Sequence, residues 1–241
     1  MFTTRHTNIQ SCLLKFIYLA SISSASLRPI TYTMSFAPAP LVYINAFPGT
    51  GKLTIARALV ALFFNSHSTA TLIDNHTLID PVAAKFPRQH PRYTDARRQE
   101  REKVLRAYIE NPERDEEVVI ITDCRATTPA GIAIVQEFKA SAQRAGRMFV
   151  PVCLVCEEGE NMRRLTSEER KDGGTTKLMD VEAAGQIRNN HQIYHFGLRE
   201  ELVLDVTSLS PEEAAGNIME KAKVFIEADH DGEEGEIIKK P

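Results

Sequence analysis

The chain has 241 residues, 43% of them hydrophobic, enough for one sizeable α/β core and short of two domains at roughly 100–200 residues each. Its 29 basic and 32 acidic residues leave a formal net charge of −3, which supplies no bulk attraction to nucleic acid, and its longest early apolar run, Phe16-Ile17-Tyr18-Leu19-Ala20, falls short of the ~20 residues that span a bilayer. Neither nucleic acid nor membrane is therefore an expected partner.

Residues 1–40 carry Arg5, Lys15 and Arg28 among many Ser and Thr and show no pattern of a folded element. Three readings stay open: an extension upstream of a working start at Met34, a mitochondrial presequence, or a secretory signal. The first places the protein in the cytoplasm, the second in the mitochondrial matrix. No Asp or Glu occurs before Asp74, whereas the segment 229–241 opens in a run of acids expected to form a disordered tail.

Leu41-Val42-Tyr43-Ile44-Asn45 has the form of a buried strand, and Ile55, Leu59, Leu62 and Phe63 recur at helical spacing over 53–64. Between them lies Ala46-Phe47-Pro48-Gly49-Thr50-Gly51-Lys52-Leu53-Thr54, a glycine-containing turn that opens a helix. Backbone N–H groups of such a turn and the positive end of the helix converge on phosphate, and Lys52 neutralises its outer oxygens. The stretch resembles the Walker A motif of P-loop NTPases, with Ala46 in place of the first glycine and Leu53 in place of the Ser/Thr after the lysine. That hydroxyl usually reaches Mg²⁺. Leucine has none, so the resemblance implies a metal resting on phosphate oxygens, water and an acid elsewhere.

A second strand, Ala70-Thr71-Leu72-Ile73-Asp74, ends in the first acid, and Glu117-Val118-Val119-Ile120-Ile121-Thr122-Asp123 is a buried parallel strand ending in another. Ligand crevices of open parallel sheets lie beyond the carboxyl ends of the strands, which places Asp74 near Lys52. Either acid alternatively caps the element that follows. Between the two strands, a short apolar helix or turn is expected over 78–86 and a longer helix from an N-cap at Thr94 through Tyr108. The longer helix carries Arg97, Arg98, Arg101, Lys103 and Arg106 beside Glu100 and Glu102. These charges either form a solvated face of i, i+4 pairs or reach an anionic group of a bound acceptor.

A helix over 128–145, a strand over 147–156 and a helix from Asn161 follow. Cys153 and Cys156 have C-x-x-C spacing but sit in that strand, where residues three apart face opposite sides, so buried reduced thiols are expected rather than a metal pair. Basic and small residues over 163–180 suggest a lid, with Arg164 and Arg170 as its charge-stabilising members. His191 and His195 lack the intervening glutamate of a zincin motif. A fifth strand over 201–206 and a helix opening at Ser210-Pro211-Glu212-Glu213 close the domain.

Five strands alternating with helices specify an α/β fold, a three-layer α/β/α sandwich on a five-stranded parallel sheet with a helical lid. Over 41–228 the chain resembles the small P-loop kinases, the group of adenylate, shikimate and gluconate kinases, and especially chloramphenicol phosphotransferase-like and zeta-toxin-like kinases. The resemblance rests on the loop at 46–54, Leu72-Ile73-Asp74-Asn75-His76, Ile120-Ile121-Thr122-Asp123, Arg163-Arg164 and Leu204-Asp205. It implies transfer of the γ-phosphate of ATP, with Mg²⁺, to a hydroxyl of a small-molecule acceptor. It further implies nucleotide contacts from Phe47, Pro48, Gly49, Thr50, Gly51, Lys52, Leu53 and Thr54. Asp74 would be the general base, Asp123 a holder of Mg²⁺ through water, and Arg164 or Arg170 the stabiliser of the transferred group. A nucleotide hydrolase and a non-catalytic nucleotide-binding regulator are the rival functions. The segment 76–106 should line the acceptor pocket, and it carries no motif that names the acceptor.

Overall fold

The structure, a computed structural model, describes residues 37–167, 180–197 and 201–232. Most of the N-terminal segment 1–40, most of the lid segment including Arg170, and residues beyond Gly232 lie outside the described residues. Five strands, β1 (Leu41–Asn45), β2 (Thr69–Asp74), β3 (Glu117–Asp123), β4 (Phe149–Val155) and β5 (Leu202–Asp205), form one parallel sheet in the order β2-β3-β1-β4-β5. Seven helices accompany them among the described residues: α1 (Lys52–Asn65), α2 (Asn75–Ala83), α3 (Tyr93–Val104), α4 (Pro129–Arg144), α5 (Glu158–Leu165), α6 (Val181–Asn190) and α7 (Pro211–Gly232). The α/β sandwich expected from the alternating pattern is the fold found.

Every residue of β1 is buried, as a central parallel strand covered on both faces must be. Val42 and Ile44 join Ile55, Ala56, Leu59 and Phe63 of α1 and Ala214, Ala215 and Ile218 of α7 in one core. Leu41 and Tyr43 join Val135, Phe138 and Ala142 of α4 and Leu105 and Ile109 in the other. Each fully buried side chain of this size contributes about 1.5–3 kcal/mol, so the two layers together fix which end of each strand meets the crevice. Register then aligns the polar strand ends: Asn45 lies opposite Asp123, and Asp74 opposite Thr122.

Local signals account for most boundaries and explain where they moved. Thr128 caps α4 by accepting from the Gly131 amide, with Pro129 next, and Ser210 and Glu213 exchange hydrogen bonds in a capping box at α7. α5 starts at Glu158 rather than Asn161, because the Glu157 carboxylate accepts from the amides of Gly159 and Glu160. α3 starts at Tyr93 and takes Thr94 into its first turn instead of its cap; the preceding turn, Tyr93 N to His90 O at 2.9 Å, already bends the chain into the helix. It continues as a π-helical turn over Leu105–Ile109. α7 reaches Gly232, four residues into the segment expected as a tail. Folded structure also begins before residue 41, since the Ala39 amide bonds to the Asp115 carbonyl and Pro40 accepts from Val119. Among the described residues no helix is long and apolar enough to cross a membrane.

Cys124, Cys153 and Cys156 carry free thiols. Burial, assisted by the Glu201 charge, pushes the Cys153 thiol up to about 12, which keeps it protonated and unreactive although His195 Nε2 lies 3.7 Å from its sulfur.

Arg147, at the turn into β4, is 3% exposed and ties four segments together. Its guanidinium donates to the carbonyls of Ile109, Ala39, Glu117 and Arg114. Arg147→Met strands these buried acceptors at once. Since one unsatisfied buried group costs about 1–3 kcal/mol, we expect a loss on the order of 3 kcal/mol in stability, read as a lower urea midpoint at unchanged m-value.

Candidate active site

β1 delivers the chain into its loop at a fixed point, because the Ala46 amide donates to the Asp123 carbonyl of the neighbouring strand at 3.2 Å. The turn closes on Phe47, whose carbonyl accepts from the Thr50 hydroxyl at 2.8 Å and from Lys52 Nζ at 3.3 Å. Gly49 and Gly51 hold φ of 85° and 92°, the left-handed region in which a side chain is strained. Gly51 is the N-cap of α1, which has no side-chain cap and no acid in its first turn. The amides of that turn are thus left for an external anion, with Lys52 beside them, and this is a phosphate cradle in its chemistry. Leu53 is half-buried and Thr54 exposed at the outer side of the turn.

The loop is buttressed from two helices. Asn161 of α5 donates from Nδ2 to the Pro48 carbonyl at 2.9 Å, and Arg188 of α6 reaches Asn161 Oδ1 at 3.4 Å and the Cys156 carbonyl at 2.8 Å. The Arg188 guanidinium also lies 5.6 Å from the centre of the Phe47 ring. Arg164, expected as a mobile charge in a lid, is instead tied down. It donates to Glu160 at 2.6 Å, to the Thr50 carbonyl of the loop at 3.3 Å, and to the carbonyls of Val206 and Thr207 at 2.9 Å each. With its donors so engaged, Arg164 clamps the loop to the segment after β5, and the two hydrogen bonds from Arg163 and one from Arg164 hold the Glu160 carboxyl down at about 2.

The two strand-end acids differ in kind. Asp74 stands at the N-cap of α2 yet its side chain caps nothing; Oδ1 accepts from the Thr122 hydroxyl at 2.9 Å, and the half-buried carboxylate lines a cleft together with Lys52. Asp123 is 1% exposed and enclosed. Its Oδ1 accepts from the Cys124 amide at 2.7 Å, and its Oδ2 from the Tyr43 hydroxyl at 2.8 Å and Arg125 Nε at 2.7 Å. Burial, then the Asp123 charge, pushes the Tyr43 hydroxyl well above its ordinary value, so it stays a donor. Burial alone would lower the Arg125 pKa, but the same carboxylate more than offsets it and the guanidinium stays charged. The metal-side role expected of Asp123 thus meets a carboxylate whose oxygens already serve an arginine, a tyrosine and an amide.

The cleft beyond Lys52 and Asp74 has a volume of about 870 Å³, room for a small molecule. As expected, the segment 76–106 lines it, through His76, Ile79, Arg88, Tyr93 and Arg97 among others, with Arg125, Ala130 and Ile134 on β3's exit and α4. Sequence reasoning brought Lys52, Asp74 and Asp123 to one end of the sheet. It missed Asn161 and Arg188, whose partners are backbone carbonyls far away in the chain, and Asn45, for which a polar residue closing an apolar run was the available signal. His191 and His195 follow α6 and do not share a helical face.

No family model matches the chain and no curated protein matches it significantly. Solved structures do. A kinase from Chloroflexus aurantiacus, described as putative, superimposes with a TM-score of 0.55 at 11% identity, over 79% of this chain and 99% of its own. The APS kinase CysC of Mycobacterium tuberculosis, in complex with AMPPNP and APS, gives 0.52 at 15% identity, over 77% and 98%. Kti12 of Chaetomium thermophilum, in complex with ADP-AlF3, gives 0.52 at 17% identity, over 78% and 99%. The chain has the P-loop kinase fold. Within that P-loop kinase fold, the turn at 46–52 occupies the position between β1 and α1 on which phosphate-binding geometry depends.

Gly49→Ala tests that geometry. A Cβ there would stand 2.8 Å from the Asn161 carbonyl oxygen at a φ closed to alanine. We expect a loss of about 1–3 kcal/mol in stability and weakened binding of a fluorescent nucleotide, measured by thermal melting and titration.

Proposed function

We propose that the protein is an ATP-dependent kinase of a small hydroxyl compound. The observation that carries this reading is the placement of Lys52 and Asp74 on one cleft, with the uncapped amides of α1 at its edge and space for an acceptor beyond. Structural neighbours solved with AMPPNP and with ADP-AlF3 support a nucleotide at the loop.

The residues fit the phosphates of ATP. Amides from Gly49 to Thr54 and the Lys52 ammonium take the β- and γ-phosphate oxygens, with Phe47 and Pro48 shaping the turn. Phosphoryl transfer is mainly a matter of positioning and charge neutralisation, since its transition state is largely dissociative. The acceptor oxygen attacks the γ-phosphorus in line, the bond from that phosphorus to the β-bridging oxygen breaks, and ADP departs. Asp74 takes the hydroxyl proton; the Thr122 hydroxyl on its Oδ1 orients the carboxylate beside the cleft. Arg125, fixed by Asp123, and Lys52 place positive charge on the same side.

The residues do not fit a magnesium ion held by the protein itself. Leu53 offers no oxygen, the Thr50 hydroxyl is turned to the Phe47 carbonyl, and Asp123 is occupied by Arg125. We assign the ion's ligands to phosphate oxygens and water, and Asp123 to the fixing of Arg125. These same departures favour one alternative, a nucleotide-binding regulator without turnover.

ATP consumption measured with and without a panel of hydroxyl compounds separates the readings: acceptor-dependent consumption is expected of the kinase, acceptor-independent consumption of a hydrolase, and binding without consumption of a regulator. Asp74→Asn should lower transfer by about 10²–10⁴-fold and leave nucleotide affinity intact, because general-base catalysis contributes in that range. Lys52→Met should instead weaken nucleotide binding. Full turnover in Asp74→Asn removes the assignment of the base.

A further inference from the structure

Among the described residues, three arginines around the cleft meet acids and Arg97 does not. Arg101 of α3, 5% exposed, makes a two-pronged ion pair with Glu137 of α4, at 2.6 and 3.1 Å. Arg98 lies between Asp95 at 2.7 Å and Glu102 at 2.5 Å. Arg125 is held by Asp123. Arg97, one turn before Arg101 on the same helix, has no acid partner among the described residues. Its Nη1 is buried and makes no hydrogen bond, and its Nη2 has only a long contact, 3.4 Å, to the carboxamide oxygen of Asn75.

That same oxygen receives Nη2 of Arg125 at 3.5 Å. Two guanidinium groups therefore converge on one neutral oxygen in a cleft large enough for a ligand. Burial draws the Arg97 guanidinium below its ordinary value, with the Arg125 charge acting in the same direction. A buried cation without an acceptor is costly, and a planar guanidinium is matched by a compact oxyanion in two-pronged geometry. Asn75 is the neighbour of Asp74 in sequence, so an anion held at Asn75 keeps the rest of a small molecule within reach of the base.

We propose that the acceptor is itself anionic: a hydroxyl compound whose phosphate, sulfate or carboxylate group is gripped jointly by Arg97 and Arg125 beside Asn75. This rests on the kinase reading for the word acceptor, while the anion subsite stands on the arginines alone. Arg97 and Arg125 determine which hydroxyl compound enters, and Asp74 acts on the hydroxyl that the grip presents.

The test titrates sulfate into the full chain saturated with AMPPNP, so that the P-loop is already filled, by calorimetry at low salt. Sulfate should bind, and Arg97→Met should weaken it by about 10- to 100-fold, the worth of a charge-assisted hydrogen bond or two. Arg97→Lys, which keeps the charge and loses the fork, should weaken it less; Arg106→Met, on the exposed face of the same region, should leave it unchanged. Thermal melting without ligand is the second readout. A ligand-binding Arg97 leaves the midpoint of Arg97→Met equal or higher, whereas a merely structural arginine would lower it.

The acceptor arm compares transfer to glycerol with transfer to glycerol 3-phosphate and glycerate, which separates phosphate from carboxylate recognition. Preference for a charged compound that falls at least about tenfold in Arg97→Met supports the proposal. Absence of sulfate binding to the AMPPNP complex, or equal binding in Arg97→Met and Arg97→Lys, overturns it. Sulfate binding that depends on Arg97 but is accompanied by no transfer to any hydroxyl compound upholds the subsite and removes the kinase reading alone.

Discussion

The working end of the molecule depends on a buried polar knot where β1 and β3 lie in register. Asn45 and Asp123 are opposite one another and enclosed in an apolar sheet. Such groups persist in a core only when every donor and acceptor is used. The Asn45 amide group donates to the carbonyls of Arg125 and Tyr194 and its oxygen accepts from the Arg125 amide. Asp123 takes Tyr43, Cys124 and Arg125 on its carboxylate and gives its carbonyl to Ala46. The knot therefore sets three things together: where the loop leaves β1, where the chain leaves β3, and where the Arg125 guanidinium stands.

From that origin the loop is held by carbonyl clamps rather than by the side chains that meet a ligand. Asn161 takes Pro48, Arg164 takes Thr50, and Arg188 holds Asn161 in turn. The two clamps that touch the loop end on backbone carbonyls and leave its amides untouched. A loop held in this way needs no reorganisation to present its amides, which is the physical advantage that the proposed phosphate site would draw from a rigid frame. The close approach of Gly49 to Asn161 is the steric counterpart of the same arrangement.

The fold was legible because its signals are local. Apolar runs such as 118–121 are buried strands whatever lies around them, and Pro129 and Pro211 mark helix starts by their own φ. The loop was legible for the same reason. What was not legible depends on partners distant in sequence. Nothing in the neighbourhood of Arg164 shows that its donors end on Thr50, Val206 and Thr207, and a basic residue after β4 fits a lid or a clamp equally well. Asp123 closes an apolar strand as an open metal-side acid would; only the register with Tyr43 and Arg125 reveals that its oxygens are taken. Within α3, Arg97 and Arg101 share a face, and whether each meets an acid is decided by α4, which supplies Glu137 to one and nothing to the other.

Two departures from the Walker pattern prove to be one. The hydroxyl that Leu53 lacks and the Asp123 carboxylate, which Arg125 engages, are the two positions that the Walker resemblance assigns to a magnesium ion. In their place stands Arg125, a cation of fixed position that answers the Asp123 charge directly. A dication forced between them would have to displace a guanidinium from a carboxylate held in a nearly dry setting, a substitution opposed by both the desolvation of the ion and the loss of the buried pair. Positive charge is placed beside the cleft by Lys52, at the start of α1, and by Arg125, just past β3. Asp74, the acid the knot leaves untouched, lines the cleft, where the base of the proposed reaction would stand.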